Sequence, residues 1–344
     1  MSQSSTTQTG DRHVDATWSG HHQSPATRVG YLLIPSFALL PYASAIEPLR
    51  AANTVARHEL FSWVHLTPDG APIKASNGVT IVPEFRAGET FDFDVVMVCA
   101  GSGVENFDHA PTFSWLRALA RQGVVLGGIS GGAYVLARAG LLNGYRCTIH
   151  WDHIAGIVEE FPDLDLTGKL FEVDRDRFTC SGGISPLDLL HHLMKTWHDP
   201  HLAAAMSDWF LHTSVRPGDA PQRMDIVQRT GINHGKLLKV ISTMEQRLEE
   251  PASRRELARL AGLSIRQLER LFQSHTGSTL AAYYLRLRLE RSRNLLRQTT
   301  MSVLEVALSC GFISASHFSR AYRSHFGHPP KQERAHDRSS AMTL

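Results

Sequence analysis

The run VVLGGISGGAYVLARAG, from Val124 to Gly140, passes from an apolar strand through a Gly-rich turn into a helix. Gly128 to Gly132 fit G-x-S-x-G, the template in which a sharp strand-to-helix turn displays a nucleophile, and the residue at its tip is Ser130. A serine hydroxyl attacks only when a positioned base takes its proton. The same turn has a second use. Backbone N–H groups of Ser130, Gly131 and Gly132 open the following helix, where they and the helix dipole favour an anion such as a carboxylate. The template is short and Gly-rich, so both chemistries, a serine hydrolase and an anion-binding pocket, stay open at this point.

The elements around the turn decide how it is held. From Val29 to about residue 198 runs read as strands (VGYLLIPSF and FDVVMVCAG, apolar and suited to burial; FSWVHLT; GVTIVPE, with period-2 alternation; CTIHW) alternate with segments of helical spacing (LPYASAIEPLRAANTVAR, PTFSWLRALARQ, SPLDLLHHLMKTWH). KLFEVDRDRFTCSGG reads as a hairpin. Alternation of this kind implies an α/β domain with a largely parallel, flavodoxin-like sheet covered on both faces, and ligands of such sheets bind at the carboxyl ends of the strands. The chain has 344 residues, enough for two domains. Pro, Gly and Asp in HTSVRPGDAPQR interrupt any helical period and mark the joint. The expected division is a disordered leader at 1–27, an α/β domain at 28–212, a linker at 213–226, an all-α domain at 227–335 and a tail at 336–344.

Charge divides at the same place. Residues 1–220 hold 15 Lys and Arg against 23 Asp and Glu, whereas the remainder holds 20 against 10, so the basic part is the helical one. That asymmetry suggests nucleic acid as a partner. The basic part also contains a repeat: ELARLAGLSIRQLERLFQSHTGSTLAAYYL matches EVALSCGFISASHFSRAYRSHFGHPPKQER, with Gly262 opposite Gly311 and Gly277 opposite Gly327. Each copy reads as a short helix, a turn with glycine and a second helix, the helix-turn-helix layout that places its second helix in a major groove. Candidate readers on the first recognition helix are Arg266, Gln267, Arg270 and Gln273, and on the second Ser314, Ser316, His317, Arg320 and Arg323. Arg reads guanine bidentately, Gln reads adenine, and Ser suits phosphates. A long helix carrying Arg286, Arg288, Arg291, Arg293 and Arg297 joins the copies and fixes their spacing.

Other classes find little support. No run of about 18 apolar residues spans a membrane. The four cysteines lie far apart, which suggests a reducing cytoplasmic setting, and the pairs His21/His22 and His191/His192 lack the partners of a metal cage. No cofactor is expected.

Residues 227–334, through GLSIRQLERLF, GFISASHFSRAY and FGHPPKQER, resemble the two-motif DNA-binding domain of AraC/XylS-type regulators. The family commonly has Tyr where this chain has Glu333, and Pro where it has Leu280. Residues 28–212, through EPLRAAN, VCAGSG, GGISGGAYVLARAGLLNGY and CTIHW, resemble the PfpI branch of the class I glutamine amidotransferase-like fold. The enzymes of that branch carry Cys at the turn, a Glu near the first strand and a His after the elbow helix. Carried over, those positions fall on Ser130, Glu47 and His150, so the thiol is absent. The resemblance thus implies a sensor pocket rather than an active site: Ser130, Gly131 and Gly132 for a carboxylate, Gly101 and Gly103 for close backbone approach, and Glu47 for a cationic end. Trp151, Phe37 and Tyr134 are candidate aromatic faces for an ammonium group. With SDWFLHTSVRPGDAPQR, the whole chain looks like activators that sense glycine betaine, carnitine or arginine. The expectation is a cytoplasmic, sequence-specific regulator of double-stranded DNA, responding to a small zwitterionic effector, acting with RNA polymerase and dimerising. The alternative is a serine-dependent amidase or hydrolase with an appended DNA-binding domain.

Overall fold

The computed structural model describes residues 26–89 and 91–333. Most of the expected leader and all of the expected tail lie outside the described residues. The N-terminal part begins β1 (Thr27–Leu33), α1 (Leu39–Ala56), β2 (Phe61–Thr67), β3 (Ile73–Lys74), β4 (Thr80–Ile81), β5 (Phe85–Arg86), β6 (Val95–Ala100) and α2 (Ala110–Arg121). It continues β7 (Val125–Ser130), α3 (Gly132–Arg138), β8 (Arg146–Cys147), α4 (Ile154–Glu160), β9 (Asp165–Leu166), β10 (Phe171–Asp174), β11 (Arg177–Cys180), α5 (Ser185–Trp197) and α6 (Pro200–Trp209).

Seven strands form one sheet in the order β10, β11, β7, β6, β1, β2, β5. Every neighbouring pair is parallel except the β10–β11 hairpin. All six residues of β6 are buried, as expected of a central strand covered on both faces. One face packs Tyr42, Ala45 and Leu49 of α1 with Leu189 and Leu193 of α5 and Met206 of α6. The other packs Phe113 and Leu116 of α2, Ala133 to Ala137 of α3 and Ile157 of α4. The parallel α/β fold read from the sequence is therefore the fold of this part.

Two apolar runs do less than their patterns suggest. In GVTIVPE only Thr80 and Ile81 pair, with Ile73 and Lys74 in a small hairpin, and Pro83, which has no N–H for a ladder, follows after Val82. In CTIHW only Cys147 pairs, next to Arg146. His150 Nδ1 then accepts the Asp152 N–H, the chain turns through a single 3-10 turn at Trp151–His153, and α4 begins.

The segment joining the two parts is held down by the first. Asp188, fully buried on α5, accepts hydrogen bonds from His212 Nε2 (2.9 Å), from the Arg216 backbone N–H (2.8 Å) and from Arg216 Nε and Nη2 (3.0 and 2.6 Å). Gln222 Nε2 lies within 2.9 to 3.1 Å of Thr148 Oγ1, Ile149 O and Lys169 O.

The C-terminal part is all helix: α7 (Ile226–Thr230), α8 (Gly235–Gln246), α9 (Arg254–Ala261), α10 (Ile265–Thr276), α11 (Leu280–Gln298), α12 (Val303–Ser309) and α13 (Ala315–Phe326). Capping boxes start α9 (Ser253 with Glu256), α10 (Ser264 with Gln267) and α12 (Ser302 with Glu305), satisfying amides that the first helical turn leaves open. Each motif has its own core, with Leu268 and Phe272 in the first and Phe318 and Tyr322 in the second. α11 belongs to both and is about 28 Å long at 1.5 Å per residue. Leu280 is its first residue, the position where Pro is also favoured, so the exchange of Pro for Leu is accommodated.

Candidate nucleic-acid interface and effector site

In the helical part, α9 with α10 and α12 with α13 form two helix-turn-helix units whose second helices present their polar faces outward. Arg266, Gln267, Arg270, Gln273, Ser314, Ser316, His317, Arg320 and Arg323 are all exposed. Two of them already have structural work. Gln267 Oε1 accepts from the Ser264 N–H and hydroxyl (2.9 Å each), and Ser314 caps α13 by accepting the His317 N–H. Arg266, Arg270, Gln273, Ser316, Arg320 and Arg323 make no side-chain hydrogen bond or ion pair among the described residues, so their donors are available to bases or phosphates. Ile313, in the turn before α13, is 94% exposed.

The arginines of α11 behave differently. Arg288 donates to Cys310 O and Gly311 O at 2.7 Å each and so ties the long helix to the turn of the second unit. Arg293 and Arg297 converge on Glu333, which is 1% exposed, at 2.9 and 2.7 Å from Nε, and Tyr322 donates its hydroxyl to the same carboxylate at 2.6 Å. Burial alone would raise the Glu333 pKa, but the bonds from Tyr322 and Arg293 and the charge of Arg297 hold it below the usual carboxylate range. The residue standing where the family commonly has Tyr thus closes the domain as an ionic hub.

In the α/β part, the turn after β7 is a genuine elbow. Ser130 has φ of 58°, a left-handed conformation that costs a non-glycine residue energy, and it pairs with Ala100 at the carboxyl ends of adjacent central strands. Glycines make room for it. A Cβ on Gly182, which itself has φ of 92°, would stand 2.8 Å from Ser130 Cβ and Oγ, and one on Gly132 would meet Val98 O at 1.9 Å. Gly101 lies against Ser36 O, so the β1–α1 loop closes over the end of β6, while Gly103 is exposed. Ser130 is only 5% exposed.

The chemistry at this elbow is that of a quiet site. Ser130 Oγ has no hydrogen bond among the described residues, to His150 or to any other group. His150 Nδ1 is an acceptor for Asp152, which places any ring proton of the neutral imidazole on Nε2, and burial lowers its pKa. Of the amides expected to bind an anion, that of Gly131 donates to Ala100 O at 3.2 Å and that of Ser130 faces the sulfur of Cys180. α3 spans only seven residues, so its dipole adds little. Glu47 is engaged by Arg50 at 2.6 Å on its own helix. Phe37 and Tyr134 are sealed in the two cores and offer no face to a ligand, whereas Trp151 is 41% exposed, with Arg223 of the linker stacked 4.7 Å from its ring centre.

Several contacts important here were not read from the sequence, although Tyr134 was singled out there as an aromatic face. Cys180 brings a thiol beside the elbow from β11; burial pushes its pKa up to about 11, so it stays protonated at neutral pH. Gly182 sits in a Gly-Gly doublet that reads only as the end of a hairpin. Tyr134 and Arg138 of α3 both bond Glu160, the last residue of α4, and Asp152 Oδ1 accepts from Asn294 Nδ2 of α11 at 2.9 Å. Only the Gly doublet could have been noticed; the others depend on which elements meet.

Known families match both parts: a helix-turn-helix domain at residues 257–336 and the DJ-1/PfpI family at residues 37–196. The HTH-type transcriptional regulator GbdR of Pseudomonas aeruginosa is 44% identical over 306 residues, covering 89% of this chain and 83% of its own. The HTH-type transcriptional regulator CdhR of the same species is 42% identical over 305 residues, covering 89% of this chain and 90% of its own. Among solved structures, a THiJ/PfpI family protein from Pseudomonas syringae shares the fold with a TM-score of 0.50, at 18% identity over 75% of this chain and 98% of its own.

Proposed function

Because the chain belongs to the AraC family of HTH-type transcriptional regulators, with a DJ-1/PfpI domain ahead of its helix-turn-helix pair, we propose that this DNA-binding regulator is an activator controlled by a small zwitterion. The effector is of the betaine, carnitine or amino-acid class and binds at the elbow, near Ser130, Gly132, Gly103, His150 and Trp151. Its carboxylate faces the turn and its cationic end faces the exposed indole. Gly101, Gly131 and Glu47 shape the surroundings: Gly101 by close packing on Ser36 O, and Gly131 and Glu47 with polar groups that Ala100 O and Arg50 already engage. The protein acts in the cytoplasm, as a homodimer on paired sites in double-stranded DNA, and recruits RNA polymerase.

The observation that carries this reading over the hydrolase is the elbow itself: folded and strained as a nucleophile turn is, yet with a serine hydroxyl that no base among the described residues holds. A nucleophilic serine needs such a base within hydrogen-bond reach. The relatives' names, which describe transcriptional regulators, agree with it. The test is thermal denaturation of the full chain with glycine betaine, carnitine and arginine, together with turnover of small amides and esters. At least one compound should raise the Tm, since a ligand at 100 times its Kd stabilises by about 2.7 kcal/mol. No stabilisation by any of them, or turnover that disappears in Ser130→Ala, would overturn it.

A further inference from the structure

The 3-10 turn Trp151–His153 and α4 lie between the elbow and the DNA-binding part and touch both. At one end, Glu160 accepts from Tyr134 Oη and from Arg138 Nε and Nη2 (2.8 and 2.9 Å), so the last residue of α4 is fastened to the elbow helix α3. At the other end, Asp152 accepts from Asn294 Nδ2 at 2.9 Å. Ala155 packs against the core of the second helix-turn-helix unit, and a Cβ on Gly156 would meet Gln298 Cβ at 3.0 Å. His150, the residue that starts this segment, belongs to the proposed effector site. The linker is fastened over the same strip, through Gln222 on Ile149 and Arg223 on Trp151.

We propose that α4 is the strut through which the elbow controls DNA binding, and that its docking on α11 holds the second helix-turn-helix unit in its DNA-competent arrangement. Two observations set the direction. With α4 docked, the reading faces of both recognition helices are exposed, so the contact does not cover the DNA surface. The docked face of α11 also lies beside the core of the second unit, whose turn α11 holds through Arg288, so α4 braces that unit from behind. The effector reading enters only as the source of movement at α3 and His150: occupancy at the elbow reaches α11 by changing how firmly α4 is seated. A coupling of this kind requires an element with two arrangements that both sites bias.

The test uses the full chain, no small molecule, and a duplex selected by the wild-type protein from a random library. A Gly156→Cys/Gln298→Cys variant, oxidised, locks the seam. The Cβ separation needs to widen only from 3.0 Å to the 3.5–4.5 Å or so of a disulfide, and the four native cysteines are buried. Gly156→Leu with Asn294→Ala opens the seam, and Asn294→Ala alone is the milder version. The locked form should bind the duplex at least five times more tightly than the opened form, with Asn294→Ala between them. Failure of the disulfide to form in a folded chain, equal affinities, or tighter binding by the opened form overturns the proposal. Lack of stabilisation by glycine betaine, carnitine and arginine would overturn the effector reading alone, because this comparison contains none of them.

Discussion

Glu333 offers the sharpest test of how the DNA-binding part is held together. Replacing it by Ala removes the acceptor of the Tyr322 hydroxyl, which is fully buried, and of Arg293 and Arg297, whose side chains are 37% exposed. Breaking a buried ion pair from one side costs about 3–5 kcal/mol, and a stranded buried hydroxyl accounts for about 1–3 kcal/mol of such a loss. The arginines recover part of their hydration, so the lower end applies, about 3 kcal/mol. For a helical unit of this size each kcal/mol is worth roughly 4–8 °C, so its transition should fall by about 12–24 °C. Urea and thermal melts of Glu333→Ala and Glu333→Gln, followed by circular dichroism, measure it. Gln keeps an acceptor for Tyr322 and should lose less. The pH dependence has a definite sign. The folded carboxyl titrates below its unfolded value, so its stabilisation is present above the unfolded pKa, near 4.3, and is lost as pH falls through the folded pKa. The gap between wild type and Glu333→Ala should therefore close in acid. A loss under 1 kcal/mol at neutral pH, or a gap that persists unchanged below both pKa values, would refute the ionic hub.

Other consequences are simpler to state. Gly182→Ala puts a methyl group against Ser130 at a φ of 92° and should destabilise the α/β part by about 2 kcal/mol or more; an unchanged melting curve would contradict the packing at the elbow. Arg270→Ala and Arg320→Ala should each weaken specific binding by about 1–3 kcal/mol if they read bases, whereas a phosphate contact would weaken all sequences alike and flatten the salt dependence. Asp188→Ala strips the buried partner from His212 and Arg216 and should make the 212–223 segment quickly cleaved by trypsin while the cores remain protected; cleavage no faster than wild type counts against the clamp.

The amino-acid sequence alone determined the architecture, because its information is periodic and local. Buried strands of β6 and β7 require continuous apolar runs, helices require the 3.6-residue spacing, and Ser and Gly at the turns of the repeat act on the backbone next to them. The strained elbow was legible for the same reason, as a sharp turn must be flanked by glycines. Short runs such as CTIHW misled because one paired residue, Cys147, and a turn look like a strand until a cap such as His150 is seen. Tertiary structure decided the rest. It joined Gly131 to Ala100, buried Phe37 and Tyr134, and gathered Tyr322, Arg293 and Arg297 around Glu333, whereas Glu47 with Arg50 and the caps that occupy Gln267 and Ser314 are contacts three residues apart that local spacing allows. It also placed Asp152 against Asn294, 142 positions away along the chain. Pairings across such separations depend on how whole elements pack, and no local pattern of residue types encodes them.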